Sequence, residues 1–248
     1  MNTKELARKL RLIETIHVPQ VSKNEIRNNP YSIQNFQYLL VLDYESTCWD
    51  RKAGPYIQPE IIEFPAVLYK IKSGEIVSKF QQYVMPTENY KLSEFCQNLT
   101  GITQDQVDNG VLLATCLMLF SNWIKELEKK YRIVLPKSNH DQVNCIFVTW
   151  SNWDLGTCLA NECKRKRIKK PEYFSKWCDL RALYREFYNR RPQGLKGVLN
   201  EVGLEFSGRE HCGLHDARNT AYLAGRMIQD GALIRITKEL DCCEFACQ

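Results

Sequence analysis

The sequence predicts a mixed α/β domain in which helices pack on a sheet, and three observations carry that prediction. Two short apolar runs, FQYLLVLD and CIFVTW, have the length and side-chain types of strands buried on both faces. The segment EIIEFPAVLYKIKSGEIVSKFQQYVMP reads as two β-rich runs joined at Ser73-Gly74, a hairpin. Several later segments repeat their apolar residues at helical spacing.

The elements follow in order. Residues 1–35 combine a short basic helix (Leu6, Leu10 and Ile13 on one side) with the polar stretch VPQVSKNEIRNNP, and read as a mobile lead-in. The first strand and the hairpin come next. LSEFCQNLTGITQDQVDNG is helical, with Thr103 placed to cap a short helix ending near Gly110. Over residues 111–131, Leu113, Leu117, Phe120, Ile124 and Leu127 mark one face of a longer helix. PKSNHDQVN is a loop, CIFVTW the second buried strand, and DLGTCLANECKRKR, DLRALYREFYN and LKGVLNEVG are helices. The last helix, HDARNTAYLAGRMIQDG, turns Ala217, Ala221, Ala224 and Ile228 inward. The expected organisation is one domain over 36–240 and a frayed tail over 241–248.

Composition narrows the class. At 44% hydrophobic and 25% charged residues the chain of 248 has globular values, which excludes disorder throughout. A net charge of +5 permits a nucleic-acid partner without requiring one. No apolar run approaches the roughly 18 residues that span a bilayer, so no membrane is expected. The basic start lacks a signal peptide's apolar centre, and Glu5 and Glu14 oppose a transit peptide. Eleven cysteines are scattered with no CxxC pair, which speaks against structural zinc and for thiols in a reducing compartment. An intracellular location, cytoplasmic or nuclear, follows.

Three sites carry chemistry. At the end of the first strand, VLDYES sets Asp43 and Glu45 on one face and Tyr44 on the other, because strand side chains alternate. Two neighbouring carboxylates repel, and burial makes this worse, so a hard divalent cation such as Mg²⁺ or Mn²⁺ is the natural counterpart. The plainer account leaves both acids solvated. Asp154 follows the second strand and opens a helix, where an acid alone reads as an N-cap. In SGREHCGLHDARN, His211 sits in a loop between glycines and Asp216 lies five residues on, in the first turn of the last helix. Alone, an exposed loop histidine and a helix-start acid explain both.

Taken together, the strand-end DxE, a later Asp at a helix start, and H-x4-D at the last helix resemble the DEDDh group of 3′-5′ exonucleases. The runs LDYESTCWD, EIIEFPAVL, LSEFCQNLTGI, FVTWSNWDLG, CKRKR, FSGREHCGL and DARNTAYLA resemble the Eri-type exoribonucleases within that group, over most of residues 1–240. The resemblance implies an RNase H-like mixed sheet flanked by helices. It implies two Mg²⁺ ions, replaceable by Mn²⁺, held by Asp43, Glu45, Asp154 and Asp216, with Asp43 shared between them. It implies His211 as general base, Glu45 within the catalytic set, and nucleoside 5′-monophosphates released from RNA 3′ ends. Thr47, Leu99 and Thr100 are then placed at the terminal nucleotide, and Trp153 either stacks on a base or belongs to the core. Some members of the family carry a C-terminal zinc-finger region. Residues 241–248 supply none, so the resemblance is to an isolated nuclease domain or a short isoform, expected to be a monomer.

Two departures stand out: Tyr44 where Phe is usual, pointing away from the acids, and His215 where an acid is common before Asp216. The basic run Lys164-Arg165-Lys166-Arg167 is read first as a solvated helix end and second as a phosphate or nuclear-import signal, while Arg190, Arg191 and Arg209 are further candidates for an RNA channel. Two alternatives remain beside the exoribonuclease: a 3′-5′ exonuclease acting on single-stranded DNA, and a non-catalytic RNA-binding module.

Overall fold

The computed structural model describes residues 29–50, 57–136 and 142–240. The expected basic helix, His17, His140 and the tail lie outside the described residues, as does most of the PKSNHDQVN loop.

Strand β1 (Tyr38–Leu42) is buried along its whole length. Its side chains divide between two cores: Tyr38, Leu40 and Leu42 enter one, Leu39 and Val41 the other. That two-faced burial is why the run is continuously apolar and does not alternate with polar residues. After Asp43 and Tyr44 the chain resumes as β2 (Glu45–Ser46), which keeps β1's register along strand β3 (Ile61–Lys70): Leu42 faces Ala66 and Glu45 faces Glu63. β3 turns through residues 71–74, with Gly74 at φ 71°, into β4 (Glu75–Tyr83), completing the expected hairpin.

Two short helices follow, each stopped and started as its sequence dictates. Helix α1 (Glu94–Thr100) is capped by Ser93 and ends at Gly101, in the left-handed conformation. Helix α2 (Gln104–Asp108) begins in a capping box between Thr103 and Gln106. Helix α3 (Leu113–Tyr131) lays Leu113, Leu117, Phe120, Ile124 and Leu127 on the sheet, all buried. Phe120 lies 5.0 Å from Phe64 and 5.6 Å from Phe174, ring centre to ring centre, at the middle of the first core.

Strand β5 (Cys145–Thr149) pairs parallel with β1. A single π-type turn over Asp154–Cys158 leads into helix α4 (Leu159–Arg165), and strand β6 (Lys176–Asp179) pairs parallel with β5. Helices α5 (Leu180–Tyr188), α6 (Leu195–Glu201) and α7 (Gly213–Gln229) cover the second face, and β7 (Lys238–Glu239) closes the sheet beyond β6. Across the sheet the order is β4, β3, β1, β5, β6, β7, with β2 extending β1. Ala217, Ala221, Ala224 and Ile228 of α7 are buried as predicted. Six of the described cysteines (96, 116, 145, 158, 163 and 178) are buried and free of disulfides, packing as small hydrophobes. Among the described residues, no helix is long and apolar enough to cross a membrane.

The basic run has structural work. Lys166 Nζ lies 2.6 Å from both Glu60 and Glu162, whose side chains are fully buried, and Glu162 also accepts the Ile61 N–H. Arg165 pairs with Glu88 and donates to the Pro59 carbonyl. Two of the four charges in Lys164–Arg167 are therefore committed to holding α4 against β3.

Tyr44 points into the first core, 4.5 Å from Phe64, and its hydroxyl is buried with no hydrogen-bond partner. A buried, unpaired hydroxyl costs on the order of 1 kcal/mol or more. Tyr44→Phe is therefore expected to raise unfolding free energy by about 1 kcal/mol, read as a higher urea midpoint at unchanged slope. A lower midpoint would show that the hydroxyl is satisfied in solution.

Candidate active site

The end of β1 opens into a cleft of about 490 Å³. Asp43, Glu45, His211 and Asp216 line it together with Leu99 and Trp153, and Trp150, Lys196 and Phe206 form part of its far wall. Four of the five residues that the sequence singled out thus meet in one place, although they come from the residue after β1, β2, the loop before α7 and α7 itself.

Asp154 sits one layer beneath. It is 3% exposed, and its Oδ1 accepts the N–H of Tyr44 at 2.9 Å, between the two strand acids. It is the first residue of the π-type turn, whose N-cap is Trp153, so the N-cap account does not hold. The hydrogen bond spans 110 residues and pins the start of that turn to the chain between Asp43 and Glu45.

Asp216 Oδ2 accepts the backbone N–H of His211 at 2.9 Å. His211 is exposed and adopts φ 60°, a left-handed conformation uncommon outside glycine. The Asp216 bond helps to hold it there, so the histidine and the acid form one unit. Asn219 donates to the carbonyls of Ser207 and His215 and accepts from the Ser207 N–H, and His215 Nδ1 accepts the Arg209 N–H. His215 is therefore half-buried and builds the loop that carries His211.

Substrate-contact expectations fare unevenly. Leu99 and Trp153 face the cleft, Trp153 being 37% exposed, which removes it from the core. Thr47 and Thr100 are not brought to the cleft. Thr47 is 2% exposed and its hydroxyl accepts the Glu60 N–H, while the Thr100 hydroxyl donates to Cys96 and accepts from Ile102. Both face inward because a hydroxyl satisfies loop backbone there. Arg209 does not lie free along a channel: it donates to the carbonyls of Asn98 and Leu99 at the end of α1.

The electrostatics are those of charges held together against their repulsion. Burial, reinforced by Asp154, Asp216 and Glu45, holds the Asp43 carboxyl well above the carboxylate range. Burial and the neighbouring Asp216 and Glu63 push Glu45 up to about 9. Burial raises Asp154 and Asp216 to about 7 each. Among the described residues no Lys or Arg forms an ion pair with any of the four.

Their oxygens are hard donors of the kind that Mg²⁺ and Mn²⁺ prefer, so the donor set fits such a cation. Among the described residues, no three His, Cys, Asp or Glu side chains close tightly enough to cage an ion by themselves. Mg²⁺ does not require a cage. It retains waters and binds through one or two carboxylates plus substrate phosphate.

One acid at this site carried no role in the sequence reading. Glu63 is 1% exposed, stands opposite Glu45 in the sheet, and accepts the N–H of Gly213 at 3.0 Å. Its sequence signal was a carboxylate inside an otherwise apolar strand, EIIEFP.

Acids gathered at one end of a mixed sheet, with an imidazole at the rim, define a class of domain whose site suits a hard divalent cation. Comparison with known proteins makes this specific. The family model described as Exonuclease, of RNase T type, matches residues 40–224. ERI1 exoribonuclease 2 of Xenopus laevis is 53% identical over 247 residues, covering 97% of this chain and 35% of the relative. The 3′-5′ exonuclease Snipper of Drosophila melanogaster is 44% identical over 230 residues, covering 92% of this chain and 82% of the relative. The crystal structure of the nuclease domain of 3′hExo, a DEDDh family member bound to rAMP, superposes with a TM-score of 0.73 at 37% identity, covering 83% of this chain and 98% of that one. The chain belongs to the RNase T exonuclease family, in its DEDDh branch. It spans 35% of the length of the Xenopus relative.

The raised carboxyls predict a pH dependence of stability. Folded-state values of about 9 for Glu45 and about 7 for Asp154 and Asp216 stand above the ordinary 4.5 and 3.8. Over that window the folded chain binds more protons than the unfolded one, so these acids favour folding at low pH and cease to as pH rises. In EDTA the melting temperature is expected to fall between about pH 5 and pH 8, with a shallower fall in Glu45→Gln. Mg²⁺ should raise it more at the alkaline end. A Glu45→Gln slope as steep as the wild type's would contradict this account.

Proposed function

We propose that the chain is a divalent-cation-dependent 3′-5′ exoribonuclease that releases nucleoside 5′-monophosphates from RNA 3′ ends. The observation that carries the reading is the convergence of Asp43, Glu45, Asp216 and His211 on one cleft, with Asp154 fastened beneath by Tyr44. The named relatives and their shared family support it.

Asp43, Glu45, Asp154 and Asp216 would hold two Mg²⁺ ions, with Mn²⁺ able to replace them. Such ions activate water and stabilise both the attacking and departing oxygens of an in-line displacement. The His211 imidazole takes the proton from the attacking water, and its exposure at the cleft rim leaves it free to approach the phosphate. Fastening His211 to Asp216 fixes the distance between the base and the acid cluster, which gives the orientation that proton transfer requires. Leu99 and Trp153 form an apolar and aromatic wall for the terminal base, since stacking on aromatics is a common grip on single strands. The domain acts as a monomer on an accessible RNA 3′ end, with single-stranded DNA as the alternative substrate.

Digestion of 5′-labelled RNA with Mg²⁺ is expected to give a ladder shortening from the 3′ end, while 3′-labelled RNA releases a labelled mononucleotide at once. Asp43→Ala should abolish the ladder and leave RNA binding in EDTA largely intact, and His211→Ala should slow cleavage by about 10²–10⁴-fold. Equal or faster digestion of matched DNA would reassign the substrate. Intact RNA with wild-type protein in Mg²⁺ and in Mn²⁺ would leave the non-catalytic RNA-binding module.

A further inference from the structure

We propose that Glu63 is a positioning residue of this site, an acid that fixes the head of α7 and so sets the His211–Asp216 pair against Asp43 and Glu45. The inference rests on the exoribonuclease reading and adds to it a residue outside the five catalytic ones.

The geometry begins with a missing cap. Helix α7 is 17 residues long, yet its N-cap, Cys212, makes no side-chain hydrogen bond to it. The first N–H groups of a helix have no partner within the helix and must find one elsewhere. Glu63 Oε2 supplies it, accepting the Gly213 N–H from 150 residues away in sequence. A carboxylate at a helix N-terminus is favoured by the helix dipole, and a hydrogen bond to a charged acceptor is stronger than a neutral one. Glu63 Oε1 accepts from Gln81 Nε2 at 2.7 Å, so the side chain is held from both ends.

Gly213 is also where α7 touches the catalytic strand. A Cβ there would lie 2.5 Å from the Asp43 carbonyl oxygen and 2.8 Å from Pro65, distances that side chains do not adopt. The helix head is thus seated on the backbone of Asp43 and fastened by Glu63, the register partner of Glu45. One turn on, Asp216 takes the His211 N–H. A short chain of contacts leads from buried Glu63 through Gly213 and Asp216 to exposed His211.

Glu63 is a buried acid beside Asp43, Glu45 and Asp216 with no cationic ion pair among the described residues, and its two oxygens are taken by neutral donors, Gly213 and Gln81.

Glu63→Met keeps the volume and removes both acceptors. Its kcat at saturating Mg²⁺ is expected to fall about 10²-fold, the cost of misplacing reacting groups by about an ångström, with KM for RNA little changed. Exchange of the Gly213 amide should accelerate, read by NMR. Glu63→Gln retains an oxygen for Gly213, with the Gln81 amide turned to match, and should restore kcat to within about tenfold of wild type. Where methionine prevents folding, Glu63→Ala at low temperature takes its place. Folded Glu63→Met with wild-type kcat would overturn the proposal, as would Glu63→Gln as slow as Glu63→Met, which would make charge and not position the cause. An inactive wild type would sink the exoribonuclease reading alone, and Gly213 exchange would still test the anchor.

Discussion

The functional cleft depends on the burial of four carboxyl groups with no cationic side chain paired to them among the described residues. Asp43, Glu45, Asp154 and Asp216 each carry a raised protonation tendency, with burial the leading cause and the other acids adding to it. The same protein deals with another buried acid pair in the ordinary way: Glu60 and Glu162 share Lys166. The contrast matters because it shows that the fold can supply a lysine where two acids must be buried. At the cleft it supplies none among the described residues. Acids left unmatched in a cleft mark a candidate binding site, and their oxygen donors suit a hard cation.

Everything that packs around β1 serves to keep those acids from spreading. A strand in the middle of the sheet, buried on both faces, cannot shift without disturbing two cores. Tyr44 exploits this twice: its ring locks into the first core beside Phe64, and its N–H holds Asp154. The alternation that sends Tyr44 inward is the same alternation that sends Asp43 and Glu45 into the cleft.

Much of this was legible in the residues. The two apolar runs, the hairpin at Ser73-Gly74, the Thr103 cap and the face of α3 follow from local pattern, and the structure repeats them. The sheet's far side was not legible. β6 and β7 are four and two residues long, too short for periodicity to register; β6 forms on the edge of β5, and β7 on the edge of β6. The site divided in a similar way. Motif spacing singled out Asp43, Glu45, Asp154, His211 and Asp216, and the structure brings four of them to one cleft with Asp154 beneath, since each lies at the end of an element with a clear signature. Thr47 and Thr100, expected near the terminal nucleotide from the family resemblance, have hydroxyls that go to backbone, and Glu63, whose partner is 150 residues distant, gave no local signal of its role. Tertiary hydrogen bonds leave no trace in local spacing.

The two sides of the cleft are fastened to one another as well as to the sheet. Arg209, two residues before His211, reaches across to the carbonyls of Asn98 and Leu99. Its guanidinium occupies the space that any side chain at Gly101 would fill, 1.5 Å from a Cβ there. Gly101 is therefore required twice, once for its left-handed φ of 74° at the end of α1 and once for the arginine. Because the guanidinium caps α1 in the manner of a basic residue at a helix C-terminus, the bond is favoured by the helix dipole too. One arginine side chain thus ties the loop that carries His211 to the end of α1 beside Leu99.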